Sequence, residues 1–518
     1  MKIRRHLISF MILPIIAAML WNIPSADLMS HKTFADGRAY VDIRDFGAVG
    51  NGLTDDSGAI QKAIDAAAKT GAVVYIPGGM FRMAKGVKVP KGVSVEGSLS
   101  ASTGPWQDWL DSEGKGGQRI FGSTAGALWA SADYMRGSWI LADNGQGDPN
   151  SDPTFLLDGN TAIRKLGFVN RSLTPVTSMP NLSPPHIAVY SEAMTAGAVN
   201  GVVIDNITLS NPYIGIAVAQ KGSGILEQDT DKSNSKSQTG TVRISNIMGS
   251  PLYKGIIIKG ISSRVELSNL QFNYSCYISS HVQMRMQMAT DLEIMGSTDV
   301  HVTDMLTFGA YSGITTLPAY NGRISNLTAI NLNLEGQKAI SIKSSGTYKI
   351  SNSYFFMVNF AGAAILKPFR AIEIAQDTTS SQPAVYDFTN CVLQNPIIFT
   401  EANNSQWEDI AIDLDLGGKA KATFTNFQIY GMDQSLQDPQ IRYNRRSGSG
   451  TEVIFNNVNF ISAFSNHLIR FTGSGWASDE VRFSNSRFPS GAQITSASQL
   501  SFKQCVIYNG ASNSYYEN

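Results

Sequence analysis

Three carboxylates stand where paired acids can share work on one proton: Glu373 in "AIEIA" (371–375), and Asp413 and Asp415 in "DIAIDLDL" (409–416). Two crowded carboxylates do not both ionise freely, so one is held as a general acid while the other serves as base or nucleophile. A second stretch, "HVQMRMQM" (281–288), alternates His281, Gln283, Arg285 and Gln287 with Val282, Met284, Met286 and Met288, and "AISIK" (339–343) adds Lys343. A basic row suits different chemistry: a cation neutralises a carboxylate next to an acidic C–H bond while a histidine removes the proton. All these stretches alternate with period two, the signature of strands with one buried face. That period turns Ile340, Ile342, Ile372, Ile374, Ile410, Ile412, Leu414 and Leu416 inward and the charged residues outward.

Such strands do chemistry together only if something stacks them. A short pattern, apolar–any–Asn followed by further apolar residues, recurs at Asn206, Asn246, Asn269, Asp304, Asn326, Asn352, Asn390, Asn426, Asn457 and Asn485, and in a variant form at Gln504. The spacing is irregular but has a floor of roughly twenty residues, one solenoid coil, with the excess as loops. The β-type alternation excludes helical repeats and predicts an all-β parallel β-helix, each strand pairing with its equivalent about 4.8 Å above. Asn suits a fixed corner, where its amide satisfies backbone groups and ladders with the Asn of the next coil. Glu373 and Asp413 then fall on neighbouring coils, about 5 Å apart, with Asp415 roughly 8 Å from Glu373 along the diagonal. These separations bracket those of retaining and inverting glycosidase carboxylates. Cys391 and Cys505 share a register directly after a corner, four coils or roughly 19 Å apart, beyond the ~7 Å reach of a disulfide, so they read as buried thiols.

Upstream, "VDIRDFGAVGNGLTDDSGAIQKAIDAAAKTGAVVYIPGGMFRM" (41–83) reads as strand, turn, helix, strand. Asp55 and Asp56 are expected to cap a helix that buries Ala59, Ile60, Ala63, Ile64 and Ala67 and covers the open end of the solenoid. This segment resembles the N-terminal motif of the pectate-lyase-like single-stranded right-handed parallel β-helix superfamily, which includes polysaccharide lyases, glycoside hydrolases, mannuronan epimerases and tailspike-type depolymerases. The resemblance implies a right-handed β-helix with an N-terminal capping α-helix, acting on or gripping a polysaccharide. The "DH" and arginine motifs of calcium-dependent pectate lyases are absent, as are the "GHG" and "RIK" motifs of polygalacturonases and the "DPHE" type motif of the epimerases, so no catalytic residue carries over.

The 518 residues carry 41 basic and 41 acidic side chains, a balance that gives no support for nucleic-acid binding. Lys2, Arg4 and Arg5 precede the apolar run "LISFMILPIIAAMLW" (7–21), which is short for a membrane span and reads as an export signal ending near Ala26, with an uncleaved anchor as the alternative. The expected organisation is a signal peptide (1–26), an N-terminal cap (36–95), an irregular region with early coils (96–205) and regular coils (206–510), in a secreted or periplasmic protein with no membrane contact after signal removal. Trp106, Trp109, Trp129 and Trp139 lie in the irregular region, where each either stacks on sugar or packs in the core.

The sequence therefore points to a polysaccharide-degrading or polysaccharide-modifying enzyme. The favoured reading is a glycoside hydrolase acting on a bacterial exopolysaccharide or plant-type acidic polysaccharide, with Glu373 as acid and Asp413 or Asp415 as base or nucleophile. His281, Gln283, Arg285 and Lys343 would bind substrate. The alternatives are a lyase eliminating across a uronic-acid unit, with Arg285 or Lys343 neutralising the carboxylate and His281 as base, and a non-catalytic polysaccharide-binding β-helix. No metal site and no cofactor are expected; calcium (Ca2+) at Asp413 and Asp415 is the secondary option, thinly supported by two carboxylates on one strand. The expected state is a monomer or homotrimer.

Overall fold

The computed structural model describes residues 32–99, 137–170, 185–191, 200–210, 212–220, 241–262, 264–273, 285–319, 324–357, 369–376, 383–394, 410–417, 419–430, 441–445, 450–461, 469–473, 480–488, 500–503, 505–509 and 512–516. The fold is all-β, with strands stacked in three files. The first file runs through residues 203–205, 242–245, 265–268, 300–303 and 327–330 to Thr347–Ser351, Ala384–Thr389 and residues 421–425, each in parallel register with the next. The second follows each first-file segment around a sharp corner and includes residues 305–307 and 332–336, then Tyr354–Met357, Val392–Gln394 and residues 427–430. The third includes Ile214–Gln220, Lys254–Lys259, Thr290–Met295, residues 338–342, Arg370–Ala375, Ile410–Leu416 and Ile441–Arg445. Among the described residues, pairing is antiparallel only at the two ends, where Lys32–Thr33 meets Ala39–Asp42 and Cys505–Asn509 meets Ser512–Tyr516. This is the strand pairing of a parallel β-helix. The coils expected before residue 206 are continuous with the later ones, since Ala162–Asn170 pairs with both Ser94–Glu96 and Val202–Ser210.

The corner carries the register. Asn206, Asn246, Asn269, Asp304, Asn331, Asn352, Asn390, Asn426, Asn457 and Asn485 all have φ between 51° and 59°. Asn and Asp tolerate this left-handed conformation better than other non-glycine residues. Their side chains form the expected ladder: Asn269 donates to Asn246 at 2.7 Å, Asn426 to Asn390 at 2.9 Å and Asn457 to Asn426 at 2.7 Å. One expected corner is misplaced. Asn331, not Asn326, holds the left-handed position and bonds to Asp304. Asn326 instead donates to the Thr298 carbonyl at 3.1 Å and accepts from the Thr347 amide at 2.8 Å, closing the turn one step earlier. The motif at 324–329 matched by composition, while the five-residue offset was invisible without the coil above.

Side chains inside the stack repeat as columns. Phe388, Phe424, Phe455 and Phe483 are in register, fully buried, and stack with ring centroids 5.2, 5.0 and 4.7 Å apart. Offset stacking of this kind adds to the area term, by roughly 0.5–1.5 kcal/mol per pair. The helix Ser57–Thr70 buries Ile60, Ala63, Ile64 and Ala67 against the first strands and ends at Gly71, with φ of 73°; Ala59 is only partly buried. The capping expectation is corrected in detail. Asp55 accepts from the Ser57 amide at 3.1 Å, whereas Asp56 makes no cap bond and instead fixes the preceding turn through the Val49 and Gly50 amides. Cys391 and Cys505 are free and buried as expected, and burial pushes the Cys391 thiol up to about 11; Cys276 lies outside the described residues. Trp139 is core, its ring packed against Gly167; Trp106, Trp109 and Trp129 lie outside the described residues.

Two stability tests follow from this geometry. Asn426→Ala removes two ladder bonds and puts alanine, which tolerates the left-handed conformation less well than Asn, at φ 52°, so it should cost about 2–3 kcal/mol and lower the urea midpoint; an unchanged midpoint would show that the ladder carries no net stability. His186 is buried, stacked on Phe168 at 5.4 Å, and neither ring nitrogen has a partner. Burial pushes its pKa from 6.5 down to about 3. Unfolding lets it take up a proton, so its contribution is intact above pH 6.5 and is lost progressively below, by on the order of 5 kcal/mol in full. Replacing it by Phe should flatten the loss of stability just below pH 6.5, measured by urea unfolding at a series of pH values.

Candidate functional site

The third file carries the charged strip. Along it, Ser341, Glu373, Asp413 and Arg442 occupy one register position on four consecutive coils. Glu373 and Asp413 are therefore direct neighbours, as the spacing predicted. Asp415 lies one outward position further on, opposite Ala375 on one side and Asn444 on the other, and accepts from Asn444 at 3.0 Å. Ile372, Ile374, Ile412 and Leu414 are fully buried beneath them.

The structure adds partners that the outward pattern alone had not supplied. Lys338 donates to both Glu373 oxygens at 2.6 and 2.7 Å, and the Ser341 hydroxyl bonds to Oε2. Asp413 accepts from Arg370 Nε at 2.8 Å and from Arg442 Nε and a terminal nitrogen at 2.8 and 2.6 Å. Lys338 Nζ also sits 5.7 Å from the Tyr311 ring centroid, near enough for a cation–π contribution. Lys343 stands just past the strand at 338–342, half-buried, its charge acting on both Glu373 and Tyr311. Sequence did hold a signal for two of the missed residues: Lys338 and Arg370 take the same position before "AISI" and "AIEI".

These contacts correct the proton assignment. Burial alone raises the Glu373 pKa, but Lys338, Ser341 and the charge of Lys343 outweigh it and hold the carboxyl below its usual range. Glu373 is thus ionised at neutral pH, the reverse of the general acid expected from carboxylate crowding. Crowding lost because each acid has its own cation. Tyr311 goes the other way: burial and the Glu373 charge raise its phenol, which stays protonated. Calcium does not fit at Asp413, since both of its oxygens already face guanidinium groups.

The stretch at 281–288 is corrected further. His281 and Gln283 lie outside the described residues, and residues 285–288 form one helical turn rather than a strand. Arg285, expected on the surface, is fully buried and makes a two-bond ion pair with Asp291 at 2.7 and 2.8 Å, with another bond to the Pro251 carbonyl. The alternation of polar residues and methionine mimicked a strand face, but only a buried counter-ion explains this arginine. Glu293, next along the following strand, pairs with Lys254. Among the described residues, no group of three or more His, Cys, Asp or Glu side chains is placed to hold a metal, and no helix is long and apolar enough to cross a membrane.

With this geometry in place, comparison with known proteins is informative over one segment. Residues 40–103 match the family described as rhamnogalacturonase A/epimerase, pectate lyase-like, which covers the cap and first coils. Alginate lyase 7 of Azotobacter vinelandii is 48% identical over 54 residues, 10% of this chain and 6% of that protein. The plasmin and fibronectin-binding protein A of Streptococcus pneumoniae (strain ATCC BAA-255 / R6) is 28% identical over 203 residues, 38% of this chain and 24% of that protein. The chain therefore spans a quarter or less of the length of these curated relatives. Among solved structures, the catalytic unit of a thermostable GH87 alpha-1,3-glucanase from Streptomyces thermodiastaticus strain HF3-3 has a TM-score of 0.45 at 12% identity, covering 91% of this chain and 71% of that one. Likeness at that level assigns no activity.

Arg285→Met should destabilise the protein by about 3–5 kcal/mol, because Asp291 is left buried without its cation. The double variant Arg285→Met/Asp291→Leu should recover most of that loss. Urea midpoints of the three proteins check this, and equal midpoints for wild type and the single variant would return Arg285 to a surface role.

Proposed function

We propose that this chain is an exported polysaccharide-active enzyme, a right-handed parallel β-helix whose first coil is covered by the helix Ser57–Thr70, and that its third face takes an extended acidic polysaccharide. The single observation that carries this reading is the in-register strip in which Glu373 and Asp413 are each matched to a cation while Lys343 keeps no side-chain partner among the described residues. A matched strip is rigid and close to neutral, so a polyanion is not repelled, and an unmatched ammonium on it offers a counter-ion for a uronate carboxylate.

β-Elimination fits these groups better than hydrolysis. In an elimination the proton leaves C5 of the uronate, a C4–C5 double bond forms, and the C4–oxygen bond breaks with the oxygen taking up a proton. Lys343 neutralises the carboxylate that stabilises the developing carbanion, and the protonated Tyr311 phenol supplies the proton to the leaving oxygen. His281 is the proposed base. Lys338, Ser341, Arg370 and Arg442 hold Glu373 and Asp413 in place. Hydrolysis is the second reading, supported by the neighbouring Glu373 and Asp413 on consecutive coils, but it needs a proton donor other than Glu373. Binding without cleavage is the third, supported by the partial similarity to a plasmin- and fibronectin-binding protein. Secretion or periplasmic export by residues 1–26, and a monomeric or trimeric state, belong to the same proposal.

Purified protein should be incubated with alginate, polygalacturonate and neutral glucans, following ultraviolet absorbance and reducing ends together. The expected outcome is an absorbance rise on an acidic polymer, reduced at least a hundredfold by Lys343→Ala and by Tyr311→Phe. Reducing ends without absorbance would transfer the reaction to hydrolysis, and neither signal with retained polymer would leave only binding.

A further inference from the structure

The second face carries a group of residues that the charged strip does not use. Glu335, Phe356, Gln394 and Tyr430 occupy one outward position on four consecutive coils, in direct register. Tyr354 and Gln428 stand on the adjoining outward position. Tyr354 and Phe356 stack with centroids 6.2 Å apart, the Tyr354 hydroxyl donates to Gln394 Oε1, and the Tyr430 hydroxyl donates to Gln428 Oε1 at 3.3 Å. Gln394, Gln428 and Tyr430 are exposed, the last at 38% of its surface.

Glu335 is out of place on a structural surface. It is half-buried, yet unlike Glu293, Glu373 and Asp413 its carboxylate has no hydrogen-bond or cationic partner among the described residues; its backbone amide is bonded to the Thr307 hydroxyl. A desolvated carboxylate without a partner is costly unless a ligand supplies one. Burial pushes this carboxyl up to about 7, and its charge reaches Tyr354. The surroundings name the class of ligand. None of the six residues is basic, so a polyanion finds no counter-ion. Flat aromatic faces suit the C–H faces of sugar rings, and carboxamide and carboxyl oxygens suit hydroxyl donors.

We infer that this face is a second carbohydrate site, separate from the charged strip, in which an uncharged glycan lies along the Phe356–Gln394–Tyr430 column and donates hydroxyl hydrogen bonds to Glu335. Four coils give it a length of about 14 Å along the axis. A protein with one face for an acidic chain and another for a neutral one could hold a mixed matrix while cleaving one component.

Native affinity electrophoresis in gels containing dextran, laminarin or hydroxyethyl cellulose tests the site directly. The expected result is retardation by at least one of these neutral glucans, weakened about tenfold in apparent affinity by Tyr430→Ala and by Phe356→Ala. Retardation by that glucan should also vary between pH 6 and pH 8 in the wild type and not in Glu335→Gln. Lys343→Ala should leave this retardation unchanged, so failure of the third-face proposal and failure of this one are told apart. No retardation by any of the three, or retardation unaffected by both aromatic substitutions, would overturn the inference.

Discussion

Vertical register is the constraint from which the remaining structure follows. A parallel strand file fixes each residue opposite its equivalent one coil away, and the left-handed Asn corner fixes where each coil turns. Because the side-chain period is two, a slip of one residue would turn every inward Ile and Phe outward. The corner Asn opposes such a slip twice over, by favouring a backbone conformation that few residues tolerate and by bonding to the Asn of the neighbouring coil. The phenylalanine columns inside and the charged and aromatic columns outside are both consequences of that alignment.

The outward columns divide by chemistry. On the third face each buried carboxylate has its own cation: Glu373 with Lys338, Asp413 with Arg370 and Arg442, Glu293 with Lys254. Matching of this kind makes the strip a preorganised surface, since side chains already held by their neighbours lose little freedom when a ligand arrives. It also sets protonation, keeping Glu373 charged while Tyr311, close to a negative charge, keeps its proton. On the second face the same ladder geometry holds aromatic rings and amides around a carboxyl, that of Glu335, with no partner among the described residues. One scaffold thus presents two surfaces of opposite character without any change in backbone design.

The N-terminal segment, residues 40–103, is similar to the pectate lyase-like family, and its physics differs from that of the coils. An amphipathic helix packed over the first strands is a local feature with a local sequence signal, and it falls within the matched residues 40–103. The coils are held by position more than by residue identity. Any apolar residue of suitable size serves inside and most polar residues serve outside.

The sequence by itself determined the all-β class, the stacked coils, the Asn ladder, the burial of Cys391 and Cys505, and the adjacency of Glu373 and Asp413. Each depends on a short period or a recurring corner, and those are printed in the order of residues. Only the tertiary structure decided which groups surround those side chains. The move of one corner from Asn326 to Asn331, the burial of Arg285 on Asp291, the cations that keep Glu373 ionised and the isolation of Glu335 all involve partners on other coils or across a loop. Charge and protonation are set by three-dimensional neighbours, and loops of variable length between coils conceal those neighbours from any reading along the chain.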